Sequence, residues 1–179
     1  MAERTGLVTL KGNPMTLLGN EVKVGQAAPD ATLVANDLSE AKLLSLIKGK
    51  KAIISVVPSL DTPVCDLQTK RFNKEASALG DNVITLTISM DLPFAQKRWC
   101  GATGSDKVKT LSDHRDASFG QAYGMLIKGI RLLARSIFVI DENGKIAYLQ
   151  IVKEVASEPD YEAALQAVKK SSKPAMARK

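Results

Sequence analysis

Two stretches constrain the architecture of this chain more than any other feature. "KAIISVVP" (51–58) and "NVITLTIS" (82–89) are near-continuous runs of apolar and β-branched residues, the first closed by a proline. A strand with one wet face alternates apolar and polar residues. Runs like these read instead as strands buried on both faces. Such a sheet needs helices above and below it. The segment between the runs supplies one, predicted from Pro63 to Leu79, with Val64, Leu67, Phe72, Ala76 and Leu79 near one face.

The rest of the chain extends this pattern. Residues 1–29 place short alternating segments between Gly, Asn and Pro breakers, which predicts an N-terminal β-hairpin extension. "ATLVA" (31–35) predicts a short strand, "SEAKLLSLIKGK" a short helix or turn, and "VKTLSD" a third sheet strand. "LPFAQKRWCGATG" and "DASFGQAYGML" predict short helices, the first ending at a glycine. "DENG" (141–144) between two apolar runs predicts a hairpin. "EPDYEAALQAVKK" predicts a closing amphipathic helix opened by Pro159. No repeat or linker divides the 179 residues. The expectation is one α/β domain over 1–170, a central mixed sheet flanked by helices, and a basic tail over 171–179.

Charge excludes more than it suggests. The net charge is +6, but the last eleven residues hold five basic side chains and no acidic one. The remaining body is close to neutral. The tail reads as a solvated, frayed end. It has neither the aromatic interleaving nor the basic recognition helix of a nucleic-acid binder. The longest strongly apolar run, "AIISVV", is far too short to cross a bilayer. The N-terminus shows no apolar signal-peptide core. The expected setting is cytoplasmic, with no membrane or nucleic-acid partner.

Two cysteines and a single histidine, all far apart, make neither a disulfide scaffold nor a zinc pattern. Inert core thiols and redox chemistry remain. In "VVPSLDTPVCDLQTKRF", Thr62 is a good N-cap and Pro63 a good first helical residue. Cys65 then sits in the first turn, where unpaired N–H groups and the positive end of the helix dipole favour a thiolate over a thiol. It also lies just past a buried strand, where α/β folds keep their sites. Lys70 and Arg71 would add positive potential if they faced the sulfur; Asp61 and Asp66 would oppose it. On these grounds alone, a reactive thiolate and an inert buried thiol both stand.

"PSLDTPVC" fits the pattern Pro-x-x-x-Thr-x-x-Cys of the peroxiredoxins. With "DLPFAQKRWC", "LLARSIFVIDENGKI" and "EPDYEAAL" in the same order, the chain resembles their thiol peroxidase branch up to about Lys170. The resemblance implies a thioredoxin-like fold and thiol-dependent reduction of hydrogen peroxide and alkyl hydroperoxides, without a cofactor or metal. It implies that Cys65 is the peroxidatic cysteine and becomes a sulfenic acid. Thr62 would hydrogen-bond the thiolate and the peroxide, Pro58 would shield the sulfur, and Arg135 would stabilise the thiolate and the leaving oxygen. Arg131 is the nearest competitor for that last role. Cys100 would resolve the sulfenic acid into an intramolecular disulfide, reduced in turn by thioredoxin. Closing it between two ordered helices requires local unfolding near "KRWCGATG", because the Cα atoms must come within about 7 Å.

The family's usual homodimer is the expected assembly. The competing reading is a redox-sensing switch that uses the same disulfide without significant turnover. His114 reads as a surface residue without a catalytic role, and Trp99 as a packing residue. Met90, Met125 and Phe94 read as core packing before they read as an entrance for organic peroxides.

Overall fold

The structure is a computed structural model and describes residues 1–76, 78–104 and 108–171. Apart from Ser171, the last helical residue, the basic tail lies outside the described residues.

The chain opens with the expected hairpin, β1 (Glu3–Leu10) and β2 (Asn13–Leu18). β3 (Thr32–Val34) and β4 (Glu40–Lys42) pair next, followed by a single helical turn, α1 (Leu43–Ile47). The first apolar run is β5 (Lys51–Val56), buried at every position. α2 (Pro63–Ala76) leads to the second run, β6 (Val83–Ser89). α3 (Pro93–Thr103), β7 (Lys109–Ser112) and α4 (Ser118–Tyr123) follow. Two short strands, β8 (Leu126–Ile127) and β9 (Leu132–Leu133), precede the hairpin β10 (Ser136–Ile140) and β11 (Ile146–Ile151). The last described element is α5 (Tyr161–Ser171).

Seven strands form the central mixed sheet in the order β11-β10-β5-β6-β7-β3-β4. β5, β6 and β7 are mutually parallel, and the other neighbours are antiparallel. A second sheet, β1-β2-β8-β9, joins the N-terminal hairpin to two strands too short for sequence patterning to reveal. The two-residue periodicity of β5 feeds two cores. Ala52, Ile54 and Val56 join the larger core with Leu86, Ile88 and Phe138. Ile53 joins a smaller one with Phe72, Ile137, Val139, Leu165 and Val168, which places it under α2 and α5. By the same alternation, Ser55 lies on the α2 side.

Three local expectations need correction. The buried stripe of α2 is Cys65, Gln68, Thr69 and Phe72, whereas Leu67 is 53% exposed. Hydrophobicity misplaced this face because its polar members are fully hydrogen-bonded inside, which removes most of the cost of burying them. α5 starts at Tyr161 rather than at Pro159, because the Asp160 carboxylate caps it by accepting from the Ala163 N–H at 3.0 Å. Phe94 is 64% exposed on α3 and belongs to no core, while Met125 is buried and Met90 packs partly against the larger core.

Candidate active site

β5 ends at Val56, and the chain turns through Val57–Thr62 into α2. Pro63 is the first helical residue. The Asp66 N–H donates to the Thr62 carbonyl at 2.9 Å, which closes the first turn around Cys65. Asp91, just past β6, pins the loop. Its carboxylate accepts from Ser59 Oγ at 2.6 Å, the Leu60 N–H at 2.7 Å and Ser89 Oγ at 2.7 Å. Cys65 Sγ is therefore delivered at a helix N-terminus from a loop anchored on the neighbouring strand.

The sulfur is fully buried, beside Val57, Leu60 and Trp99. Arg135, the residue before β10, reaches it from across the sheet and is only 2% exposed. Its Nη2 lies 3.1 Å from Cys65 Sγ, its Nη1 donates to Gln68 Oε1 at 2.8 Å, and its Nε donates to the Val155 carbonyl at 2.7 Å. Gln68 in turn donates to Ser55 Oγ at 2.7 Å. A buried guanidinium needs its donors matched and its charge answered. Two neutral oxygens match two of its edges, and the group left facing the third edge is a thiol that can ionise. The Cys65 sulfur thus meets a buried guanidinium and a helix N-terminus together.

The other cations are engaged elsewhere. Lys70 pairs with Asp66 at 2.8 Å, and Arg71 pairs with Glu75 and Glu162 and stacks on Tyr161. Arg131, the competitor of Arg135, donates to the His114 carbonyl at 3.1 Å. The Thr62 hydroxyl donates to the Ser59 carbonyl at 3.0 Å. Pro58, Thr62 and Arg135 line a largely apolar cavity of about 350 Å³ with Leu10, Val64, Ile127, Ile130 and Leu132. Met90, Met125 and Phe94, which the sequence offered only as a second reading for such an entrance, do not line it. It is built instead by the N-terminal hairpin, the start of α2, the β8–β9 segment and the loop after β11.

Cys100 lies on α3, partly buried, with Sγ 3.7 Å from Thr110 Oγ1 of β7. Both cysteines are free. Its neighbour Trp99 donates from Nε1 to Asp66 Oδ1 at 2.8 Å, so α3 is tied to the residue next to Cys65. Gln68, Ser55 and Asp91 escaped sequence reasoning. For Gln68 a signal existed: three residues past Cys65, it must share that helix face.

The Redoxin family profile matches residues 23–165. The thiol peroxidase of Bacillus subtilis (strain 168) is 61% identical over 162 residues, which cover 90% of this chain and 96% of that protein. The thiol peroxidase of Listeria monocytogenes serovar 1/2a is 56% identical over 164 residues, covering 92% and 98%. A peroxiredoxin-like protein from Aquifex aeolicus superposes with a TM-score of 0.85 at 42% identity, over 93% of this chain and 98% of that one. At 19% identity, a Chromobacterium violaceum thiol peroxidase still shares the fold, with a TM-score of 0.80 over 91% and 95% of the two chains. With this match over nearly its whole described length, the chain belongs to the Redoxin family and, within it, to the thiol peroxidases.

Proposed function

We propose that this chain reduces hydrogen peroxide and alkyl hydroperoxides at Cys65, closes a Cys65–Cys100 disulfide within one subunit, and is reset by thioredoxin. The observation that carries the reading is the Arg135 guanidinium 3.1 Å from a sulfur in the first turn of a helix.

The Cys65 thiolate attacks one peroxide oxygen. The S–O bond forms as the O–O bond breaks, leaving Cys65 as a sulfenic acid. The other oxygen departs as alkoxide or hydroxide and takes up a proton to become alcohol or water. Arg135 offers positive charge to the thiolate and then to the leaving oxygen, without reorganisation at the moment of reaction. Thr62 accepts the peroxide O–H, and Pro58 keeps bulk water off the sulfur. The Cys100 thiolate next displaces hydroxide from the sulfenic sulfur, and the disulfide forms with loss of water. Thioredoxin supplies two electrons and two protons to restore both thiols. The apolar cavity favours peroxides that carry an organic group.

Neither cysteine is in bonding reach of the other, so the cycle asks for local movement before the disulfide can close. A homodimer is the proposed assembly. Leu67, Leu92, Phe94 and Ile130 are large apolar side chains left at least 40% exposed in the single chain, which supports that reading. The proposed compartment is the cytoplasm; no described helix is long and apolar enough to span a membrane. Residues 1–170 are proposed to act as one domain.

The test is steady-state peroxide consumption with thioredoxin, its reductase and NADPH. Cys65→Ser should abolish turnover. Cys100→Ser should still reduce one equivalent of peroxide but fail to cycle with thioredoxin. Mass spectrometry of the peroxide-treated wild type should show the loss of two hydrogens and a Cys65–Cys100 link within one chain. A disulfide that forms without steady-state turnover would favour the redox-switch reading.

A further inference from the structure

The apolar cavity has two walls that do not belong to the same part of the chain. Leu10 and Lys11 come from the turn of the N-terminal hairpin, and Val155 and Ala156 from the loop after β11. Glu154 joins them. One carboxylate oxygen accepts from Thr9 Oγ1 at 2.8 Å and from the Gly12 N–H at 2.9 Å. The other accepts from the Lys11 N–H at 3.0 Å and from the Ala156 N–H at 2.9 Å. Backbone bonds run beside it, from Thr9 N–H to the Lys153 carbonyl at 2.7 Å and from Val155 N–H to the Thr9 carbonyl at 2.8 Å. Lys11 holds a left-handed conformation, φ 52°, in the turn that the carboxylate caps.

Glu154 does not line the cavity and touches neither Cys65 nor Arg135. The four donors hold its carboxyl down to about 2, with the Ala156 N–H foremost. It therefore stays ionised at any working pH, and the clamp does not act as a pH switch. Removing it frees the hairpin turn, whose remaining ties to this loop are backbone bonds alone. Arg135 keeps its contacts with Gln68 and the sulfur, and two bonds still hold its end of the 153–156 loop: its Nε donates to the Val155 carbonyl at 2.7 Å, and its own carbonyl accepts from the Val152 N–H at 3.0 Å. The loss should therefore fall on the wall that meets the organic group of a substrate and spare the reacting centre.

We propose that Glu154 is a positioning residue that sets the preference for organic hydroperoxides, by clamping the β1–β2 turn against the 153–156 loop to form the cavity's outer wall. This rests on the peroxidase reading above. Hydrogen peroxide has no apolar group to place against that wall, whereas cumene hydroperoxide does. Interactions made equally in the ground and transition states appear in KM rather than in kcat.

The experiment measures kcat and KM of the full chain for both peroxides, with dithiothreitol as reductant. For Glu154→Ala, kcat/KM for cumene hydroperoxide should fall about tenfold, as expected for losing charge-assisted bonds at one wall. The loss should lie in KM, and the value for hydrogen peroxide should stay within about twofold. Thr9→Val, which removes a single donor, should move the same ratio in the same direction by less, and it carries the test if Glu154→Ala does not fold. An equal loss for both peroxides, or an unchanged ratio in a wild type that consumes both, overturns the specificity role and leaves the peroxidase reading intact. A wild type that consumes neither peroxide removes both.

Discussion

The two cysteines occupy contrasting surroundings. Cys65 is fully buried on a helix whose inward stripe is hydrogen-bonded to the sheet, with Arg135 and Gln68 fixed by several partners each. Cys100 sits on α3, where only Pro93 and Gln96 are buried, no side chain caps the N-terminus, and Gly104 ends the helix at φ 67°. Buried Gln96 donates to Ser89 Oγ and the Leu111 carbonyl, but its own Oε1 has no partner among the described residues. The first setting is over-determined and the second is lightly held, which is what local opening requires. A nucleophile gains from preorganisation, whereas a resolving thiol must travel. The difference teaches that one domain serves both needs by burying the reacting face of one helix around a guanidinium and burying little of the other.

The comparison breaks first at Arg135. Arg135→Met should lower the rate of peroxide attack by about 10²–10³-fold, comparable to deleting a preorganised donor to developing negative charge. It also strands Gln68 Oε1 and the Val155 carbonyl, at about 1–3 kcal/mol for each buried acceptor left unpaired. Stopped-flow oxidation of the thiol and a thermal melt measure the two effects separately. A rate within a few fold of wild type would show that the helix N-terminus alone activates Cys65.

A smaller effect should come from Asp113, just past the end of β7 and bonded to the start of α4. Burial pushes its carboxyl up to about 6, although the Phe119 and Gly120 N–H groups both donate to it. Its folded value lies above the ordinary 3.8. Its contribution to stability is therefore full below about pH 3.8 and is lost as pH rises through 6. Relative to Asp113→Asn, the wild type should lose about 2–3 kcal/mol between pH 4 and pH 7.5, at about 1.36 kcal/mol per unit. Urea midpoints of both proteins across that range check this. A difference that does not change with pH would mean that the carboxyl titrates normally.

The smallest effect sharpens the contrast most directly. Trp99→Phe keeps an aromatic, though smaller, ring and removes the N–H that ties α3 to Asp66. Losing about 1 kcal/mol of that tie should speed disulfide closure about fivefold and leave peroxide attack unchanged. Rapid-quench mass spectrometry of the sulfenic acid and disulfide forms separates the steps. An unchanged closure rate would place the restraint on Cys100 elsewhere.

The sequence by itself determined the layers of the fold, because continuous apolar runs can only be inner strands and DENG can only be a tight connection. It also placed Cys65 in a first helical turn, since Thr-Pro before a helix is local chemistry. The inward face of α2 was not legible. Helix spacing places Gln68 on the Cys65 face, but its burial there depends on Ser55 and Arg135, which satisfy it from other parts of the chain. The apolar cavity was likewise hidden, since its walls join Leu10, Val64, Ile130 and Val155, which only the two sheets bring together. Arg135 shows the division most plainly. The family resemblance singled it out, but only tertiary packing could decide that it faces the sulfur while Arg131, four residues earlier, faces a carbonyl. Hydrophobic periodicity is written along the chain, whereas the pairing of polar groups depends on which strands become neighbours.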